Sequence, residues 1–140
     1  LPFVQDNFYR SQYGALRGLH YQWPHAQGKL VSVSSGKVFD VVVDIRQGST
    51  TFGKSICVEL SEENHRQVYI PPGFAHGFLT LEDRTIFTYK VSNIYNKASE
   101  GGILWNDPDL NIDWGIDPAE IILSEKDKLL PKIKDLDIPF

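Results

Sequence analysis

Ile70-Pro71-Pro72-Gly73-Phe74-Ala75-His76-Gly77 is the stretch from which the fold can be read. Proline has no N–H to give to a strand ladder and glycine accepts turn geometry, so the Pro-Pro-Gly run closes one extended segment and opens another. The runs on both sides are short and rich in Val, Ile, Phe, Tyr and Thr, which predicts strands at 66–70 and 76–81. Further out, the same texture predicts strands at 14–22, 29–35, 37–45, 55–60 and 84–92. Ser35-Gly36 marks a tight turn and Gln47-Gly48-Ser49 opens a longer loop. Short strands at this spacing form a sandwich or a barrel, so the chain is expected to be all-β. Helical signals are confined to the end. Asp117-Pro118-Ala119-Glu120 gives at most one turn, and Ser124-Glu125-Lys126-Asp127 starts a short helix with a serine N-cap.

The 140 residues, 41% of them hydrophobic, suit a single domain over 1–140 with a proper core. A net charge of −4 and a pI near 5.5 exclude a non-specific nucleic-acid binder. No apolar run approaches the roughly 20 residues of a membrane span, and no signal peptide opens the sequence, which together read as a cytoplasmic protein. The single Cys57 lies in a strand-like run, where a buried thiol is expected, and it has no partner for an internal disulfide. Methionine is absent, so residues are expected to precede Leu1 in the natural polypeptide.

Alternation assigns faces within the strands. In Val38-Phe39-Asp40-Val41-Val42-Val43-Asp44 the two acids share a face with Val38 and Val42, which puts Asp40 inside. A buried carboxylate needs a partner, here a cation such as Lys29 or Arg17, or backbone donors. Phe87, Tyr89 and Val91 share an inward face, so the Tyr89 phenol is either a hydrogen-bonded core group or a proton donor. Arg17-Gly18-Leu19-His20-Tyr21-Gln22 and Gln27-Gly28-Lys29 place a proton acceptor near two fixed cations. Arg17 and His20 are three apart and face opposite ways in a regular strand. A bulge at Gly18 would bring both to one cavity.

Pro71-x-Gly73-x-x-His76 resembles the second motif of the cupin superfamily, whose fold is a double-stranded β-helix, or jelly roll. Metal-binding cupins use that histidine with two histidines and a glutamate from a first motif. Here Lys29 stands for the glutamate, judged by its spacing to Gly36, while His25 could stand for one histidine and Trp23 replaces the other. A cation at a ligand position opposes a metal ion, so a barrel without a metal is expected.

Together, Phe3-Val4-Gln5-Asp6-Asn7, Leu16 to Gln22, Gln27-Gly28-Lys29-Leu30-Val31, Val38-Phe39-Asp40-Val41, Pro71 to Phe78, Tyr89-Lys90, Glu100-Gly101-Gly102-Ile103 and Leu123-Ser124-Glu125-Lys126-Asp127 resemble, in order, the dTDP-4-dehydrorhamnose 3,5-epimerase family. That resemblance implies a cofactor-free cupin enzyme of dTDP-L-rhamnose synthesis, working as a homodimer on a dTDP-4-keto-6-deoxy sugar. It implies His20 as the base, oriented by Asp127, Lys29 as the stabiliser of the enolate, and Tyr89 as the proton donor. Ser124-x-x-Asp127 is also a capping-box signature, which gives Asp127 a second possible job. Arg17, Gln5, Asp6, Asn7, His76, Glu100 and Lys126 match substrate-binding positions, and Asp40 joins them by holding the Lys29 ammonium. Tyr95 is a further aromatic candidate, either at the pocket or in the core. Family members begin with further strands whose arginine and glutamate help hold the nucleotide sugar, so those strands are expected to be missing here. Two alternatives stay open: a mono-epimerase of a related dTDP-4-keto-6-deoxy sugar, and a metal-dependent cupin using His25 and His76.

Overall fold

The computed structural model describes residues 2–140, and Leu1 lies outside them. Nine strands form the framework: β1 Gln5–Ser11, β2 Leu16–Gln22, β3 Lys29–Ser35, β4 Lys37–Asp44, β5 Ser55–Ser61, β6 Gln67–Ile70, β7 Phe74–Thr80, β8 Thr85–Val91 and β9 Glu100–Gly102. They make a four-stranded sheet in the order β1-β8-β3-β6 and a five-stranded sheet in the order β5-β4-β7-β2-β9. Every pairing is antiparallel. The result is a jelly roll whose short helical segments all follow β8: Lys97–Ser99 just before β9, then Pro118–Glu120, α1 Glu125–Lys128 and Ile133–Asp135.

The predicted strands appear as β2 to β8 with ends displaced by no more than two residues. β1 and β9 were not predicted. β1 alternates in burial, but its inward residues Gln5, Asn7 and Tyr9 line a polar cavity, so the apolar alternation that marks a strand never appears in its sequence. β9 is three residues long and two of them are glycine.

Two cores explain the Val-rich texture of β4. Val31, Val33, Val38, Leu60, Ile70, Phe78 and Phe87 come from both sheets and pack between them. Leu19, Val41, Val43, Ala75 and Leu79 point the other way and are covered by Ile103, Leu110, Trp114, Ile133 and Ile138 of the C-terminal segment. A sheet buried on both faces reads as a continuous apolar run rather than a strict alternation. The covering segment is fixed by the buried Asp107, whose Oδ2 accepts the Ile133 N–H at 2.7 Å and whose Oδ1 accepts the Asp109 N–H at 2.9 Å. It also forms a parallel bridge between Ala15 and Ile122. These contacts deliver α1 to β2, where Asp127 meets Gly18 and His20.

One expectation about burial is corrected. Cys57 is exposed, on β5 at the edge of its sheet. Partial burial, helped by the charges of Asp113 and Asp40, still raises its thiol pKa, so the thiolate is disfavoured. Among the described residues no helix is long and apolar enough to cross a membrane.

Candidate active site

The two sheets enclose a cavity of about 530 Å³, lined from the five-stranded sheet by Arg17, His20 and His76 and from the four-stranded sheet by Lys29, Tyr89 and Tyr9. That volume lies within the usual range for small-molecule sites. Tyr95, exposed at 48%, lines its edge and is a pocket residue rather than a core one.

The bulge expected at Gly18 is present. Arg17 pairs with Phe78 and His20 with His76, so three steps along β2 are matched by two along β7. Gly18 has φ of +123°, where a side chain is strained, and an added Cβ would lie 2.6 Å from the Gly77 Cα. The extra residue turns Arg17 and His20 to the same cavity.

His20 Nε2 lies 2.7 Å from Asp127 Oδ1, and Asp127 Oδ2 accepts the Gly18 N–H at 3.2 Å. Asp127 is 3% exposed. Burial raises its carboxyl pKa, but the His20 hydrogen bond and charge, the Gly18 N–H and Lys126 outweigh that and hold it below the usual carboxylate range. Ser124 Oγ accepts the Asp127 N–H at 3.1 Å, so the helix is capped by the serine alone while the aspartate side chain is spent on β2. With Nε2 donating to Asp127, Nδ1 of His20 is the free proton acceptor.

Lys29 sits opposite, its Nζ 5.8 Å from the centroid of the Tyr89 ring. Loss of water pulls the ammonium pKa down to about 8, against the opposing charge of Asp40. Asp40 makes its hydrogen bond elsewhere: Oδ1 accepts from His76 Nε2 at 2.7 Å. This corrects two expectations. Asp40 is 1% exposed and does not line the cavity, so it does not contact a ligand there, and its direct partner is His76 rather than Lys29. Asp40 Oδ2 is buried without a partner, which leaves its charge to act on Lys29 through space. Burial lowers the His76 pKa, ahead of the opposing effect of Asp40, so this imidazole is neutral and donates to the carboxylate. His76 also stacks on Phe87 at 6.2 Å.

The Tyr89 phenol is held far above its ordinary pKa, first of all by burial, and its hydroxyl lies 3.4 Å from that of Tyr9, where either oxygen can donate. Lys126 and Glu100 form an ion pair at the rim. Gln5 Nε2 donates to Asn7 Oδ1 at 2.8 Å, and Gln5 Oε1 accepts the Tyr95 N–H at 2.9 Å, which ties the far wall together.

Asp6 is a further correction. Alternation along β1 turns it to the outer face, where it is exposed and pairs with Lys90 at 3.0 Å, so it is not part of the cavity. His25 is likewise exposed and outside the lining, so it does not join His76. Among the described residues no group of three or more His, Cys, Asp or Glu could hold a metal ion. Tyr9, Gln22 and Gln27 also line the cavity, although no site role was expected of them from the sequence. For Tyr9 a signal existed, since it stands two and four residues from Asn7 and Gln5 and therefore on their face.

The family described as dTDP-4-dehydrorhamnose 3,5-epimerase has a sequence model that matches residues 1–135. A curated relative of that name from Shigella flexneri is 54% identical over 138 residues, covering 98% of this chain and 75% of its own length. The crystal structure of a dTDP-6-deoxy-D-glucose-3,5-epimerase from Legionella pneumophila, in complex with dTDP-4-keto-L-rhamnose, superposes with a TM-score of 0.94 at 53% identity, covering 97% of this chain and 72% of that one. A 3'-monoepimerase from Streptomyces bikiniensis in complex with dTDP-quinovose superposes with a TM-score of 0.89 at 39% identity, covering 95% of this chain and 67% of that one. With the match running along nearly all of its length, this chain belongs to the dTDP-4-dehydrorhamnose 3,5-epimerase family.

Proposed function

We propose that the chain is a dTDP-4-dehydrorhamnose 3,5-epimerase, which inverts C3 and C5 of a dTDP-4-keto-6-deoxy sugar by removing a proton beside the ketone and returning it on the other face. What carries this reading is that His20 and Tyr89 stand on different sheets, across one cavity, so a sugar ring between them has a base on one side and an acid on the other. The 4-keto group acidifies the hydrogens on C3 and C5. His20, held by Asp127, takes one of them. The negative charge moves to the ketone oxygen, and the Lys29 ammonium stabilises it in a site short of water. Tyr89 then gives its phenolic proton to the carbon from the opposite face. His20 loses its proton to solvent and Tyr89 regains one before the next inversion, so the balance closes without any other reactant.

Arg17, Gln5, Asn7, His76, Glu100 and Lys126 supply the polar contacts for the remainder of the nucleotide sugar. No step needs a redox cofactor or a Lewis acid, because the ketone and Lys29 already stabilise the enolate. The functional unit is a homodimer in the cytoplasm. A second reading, inversion at a single carbon, is favoured by the likeness to the Streptomyces 3'-monoepimerase. Turnover of dTDP-4-keto-6-deoxyglucose by the full-length protein in deuterated water separates the two. Deuterium at both C3 and C5 with inversion at both is the expected result, deuterium at one carbon supports the second reading, and none at either removes the epimerase assignment.

A further inference from the structure

Tyr9 lines the cavity and has no task in the chemistry above. Its hydroxyl lies 3.4 Å from that of Tyr89, and the two rings stack at 5.9 Å with 18° between their planes. The Arg17 guanidinium stands over the Tyr9 ring, 4.7 Å from its centroid. β1 pairs with β8 so that Asn7 is opposite Tyr89 and Tyr9 opposite Phe87, and Tyr9 reaches Tyr89 along the diagonal. Arg17 thus contacts Tyr9, and Tyr9 contacts Tyr89, the group that must part with a proton.

A phenol that protonates carbon becomes a phenolate, and on a buried wall that charge is expensive unless a donor meets it. The Tyr9 O–H is such a donor. Before the reaction either oxygen can donate, and the contact is long at 3.4 Å. Once Tyr89 carries charge the roles are fixed, and the contact can shorten to the roughly 2.5–2.7 Å of a charge-assisted O–H···O bond. The cation over the Tyr9 ring draws electron density from the phenol and makes its O–H the stronger donor. An interaction that strengthens only as the proton leaves accelerates the step instead of tightening binding.

We propose that Tyr9, polarised by Arg17, is a positioning residue for the acid: it orients the Tyr89 hydroxyl and donates a hydrogen bond to the phenolate formed when Tyr89 protonates the enolate carbon. In that step the new C–H bond forms as the Tyr89 O–H bond breaks, while Tyr9 keeps its own proton and solvent later restores that of Tyr89. The proposal rests on the epimerase reading of the site.

The test uses full-length wild type, Tyr9→Phe, Tyr89→Phe and the double variant with dTDP-4-keto-6-deoxyglucose in deuterated water, reading carbon-bound deuterium and inverted product separately. Tyr9→Phe keeps the ring and both of its stacking contacts, and circular dichroism checks its fold. Its kcat for inversion should fall about 10- to 100-fold, the range for losing a hydrogen bond to a charged group, with KM changed less than about twofold and exchange reduced less than inversion. Added to Tyr89→Phe it should lower inversion no further. Tyr9→His, which retains a ring donor, should recover part of the loss. Multiplied losses in the double variant, equal falls in exchange and inversion, a change in KM alone, or equal loss in Tyr9→His and Tyr9→Phe would each overturn the proposal. A wild type that neither exchanges nor inverts would instead remove the epimerase reading, and this proposal with it.

Discussion

The chemistry of the site depends on how individual charges are held. His20 is oriented by a carboxylate that the fold keeps ionised, so the roles of the pair separate cleanly by substitution. His20→Ala should abolish both deuterium exchange and inversion, because no enolate forms. Tyr89→Phe should lower inversion by on the order of 100- to 10,000-fold while exchange at the acidified carbon falls much less, since base and enolate stabiliser remain. If both readouts fall by one factor, Tyr89 acts at or before enolate formation. Lys29 gives a pH signature. Its pKa is lowered to about 8, so the ammonium is present below that pH and lost above it, and kcat/KM should decline through an apparent pKa near 8. Lys29→Arg should remove that decline whatever its absolute rate, since guanidinium stays charged. Asp40→Asn should move the decline to lower pH by removing the charge that supports the ammonium, and an unmoved profile would show that Asp40 acts on His76 alone.

Two small elements set the geometry in which those residues meet. The β2 bulge centred on Gly18 turns Arg17 and His20 to one side, and its close approach to Gly77 leaves no room for a Cβ. Gly18→Ala should destabilise the protein by roughly 1–3 kcal/mol from backbone strain alone. Its activity should fall further than a thermal melt accounts for, because the Gly18 N–H also holds Asp127. α1 is only four residues long, and Ser124 caps it by accepting the Asp127 N–H. Ser124→Ala removes a cap worth about 0.5–2 kcal/mol. The measurable consequence should be a lower kcat with little change in KM, since the capped element carries the partner of His20. A drop in melting temperature with kcat intact would mean that β2 fixes Asp127 without help from the cap.

At the scale of the molecule, the C-terminal segment is the second layer of the core and also a wall of the cavity. Trp114, Ile133 and Ile138 cover one face of the five-stranded sheet, and Ile122, Leu123, Ser124, Lys126 and Asp127 line the pocket. Loosening the cover should therefore reach the site. Asp107→Ala breaks the two hydrogen bonds that pin this segment, leaves the Ile133 N–H buried without a partner, and should lower stability and activity together. Hydrogen exchange would check this: protection should be lost over 105–135 and retained in β3, β4 and β7. The proposed homodimer predicts sedimentation at twice the chain mass. The outer face of the four-stranded sheet is its candidate surface, since Phe8 and Tyr69 are 65% and 53% exposed there, and Phe8→Glu should shift the equilibrium toward monomer.

Local chemistry was enough to establish much of this in advance. Proline and glycine punctuation with β-branched runs gave β2 to β8, because turn and strand preferences act over a few residues and do not wait for tertiary contacts. Period-two alternation put Asp40 inside, and the spacing of Arg17 and His20 meant that both could reach one cavity only through an irregular strand, which β2 has. Long-range pairing decided the remainder. β1 owes its strand to ladder bonds with β8, about eighty residues along the chain, and its cavity-facing side chains carry no apolar period. Asp127 chose His20 over its own helix end because α1 docks against β2, a contact that no local signature encodes. Asp40 took His76 as partner because β4 and β7 are neighbours, and Asp6 left the cavity because its place in the β1 pleat outweighs its place in a sequence motif. The residues and their local conformations were thus written in the sequence, whereas the pairing of charges across 36, 84 or 107 residues was settled only when the sheets closed.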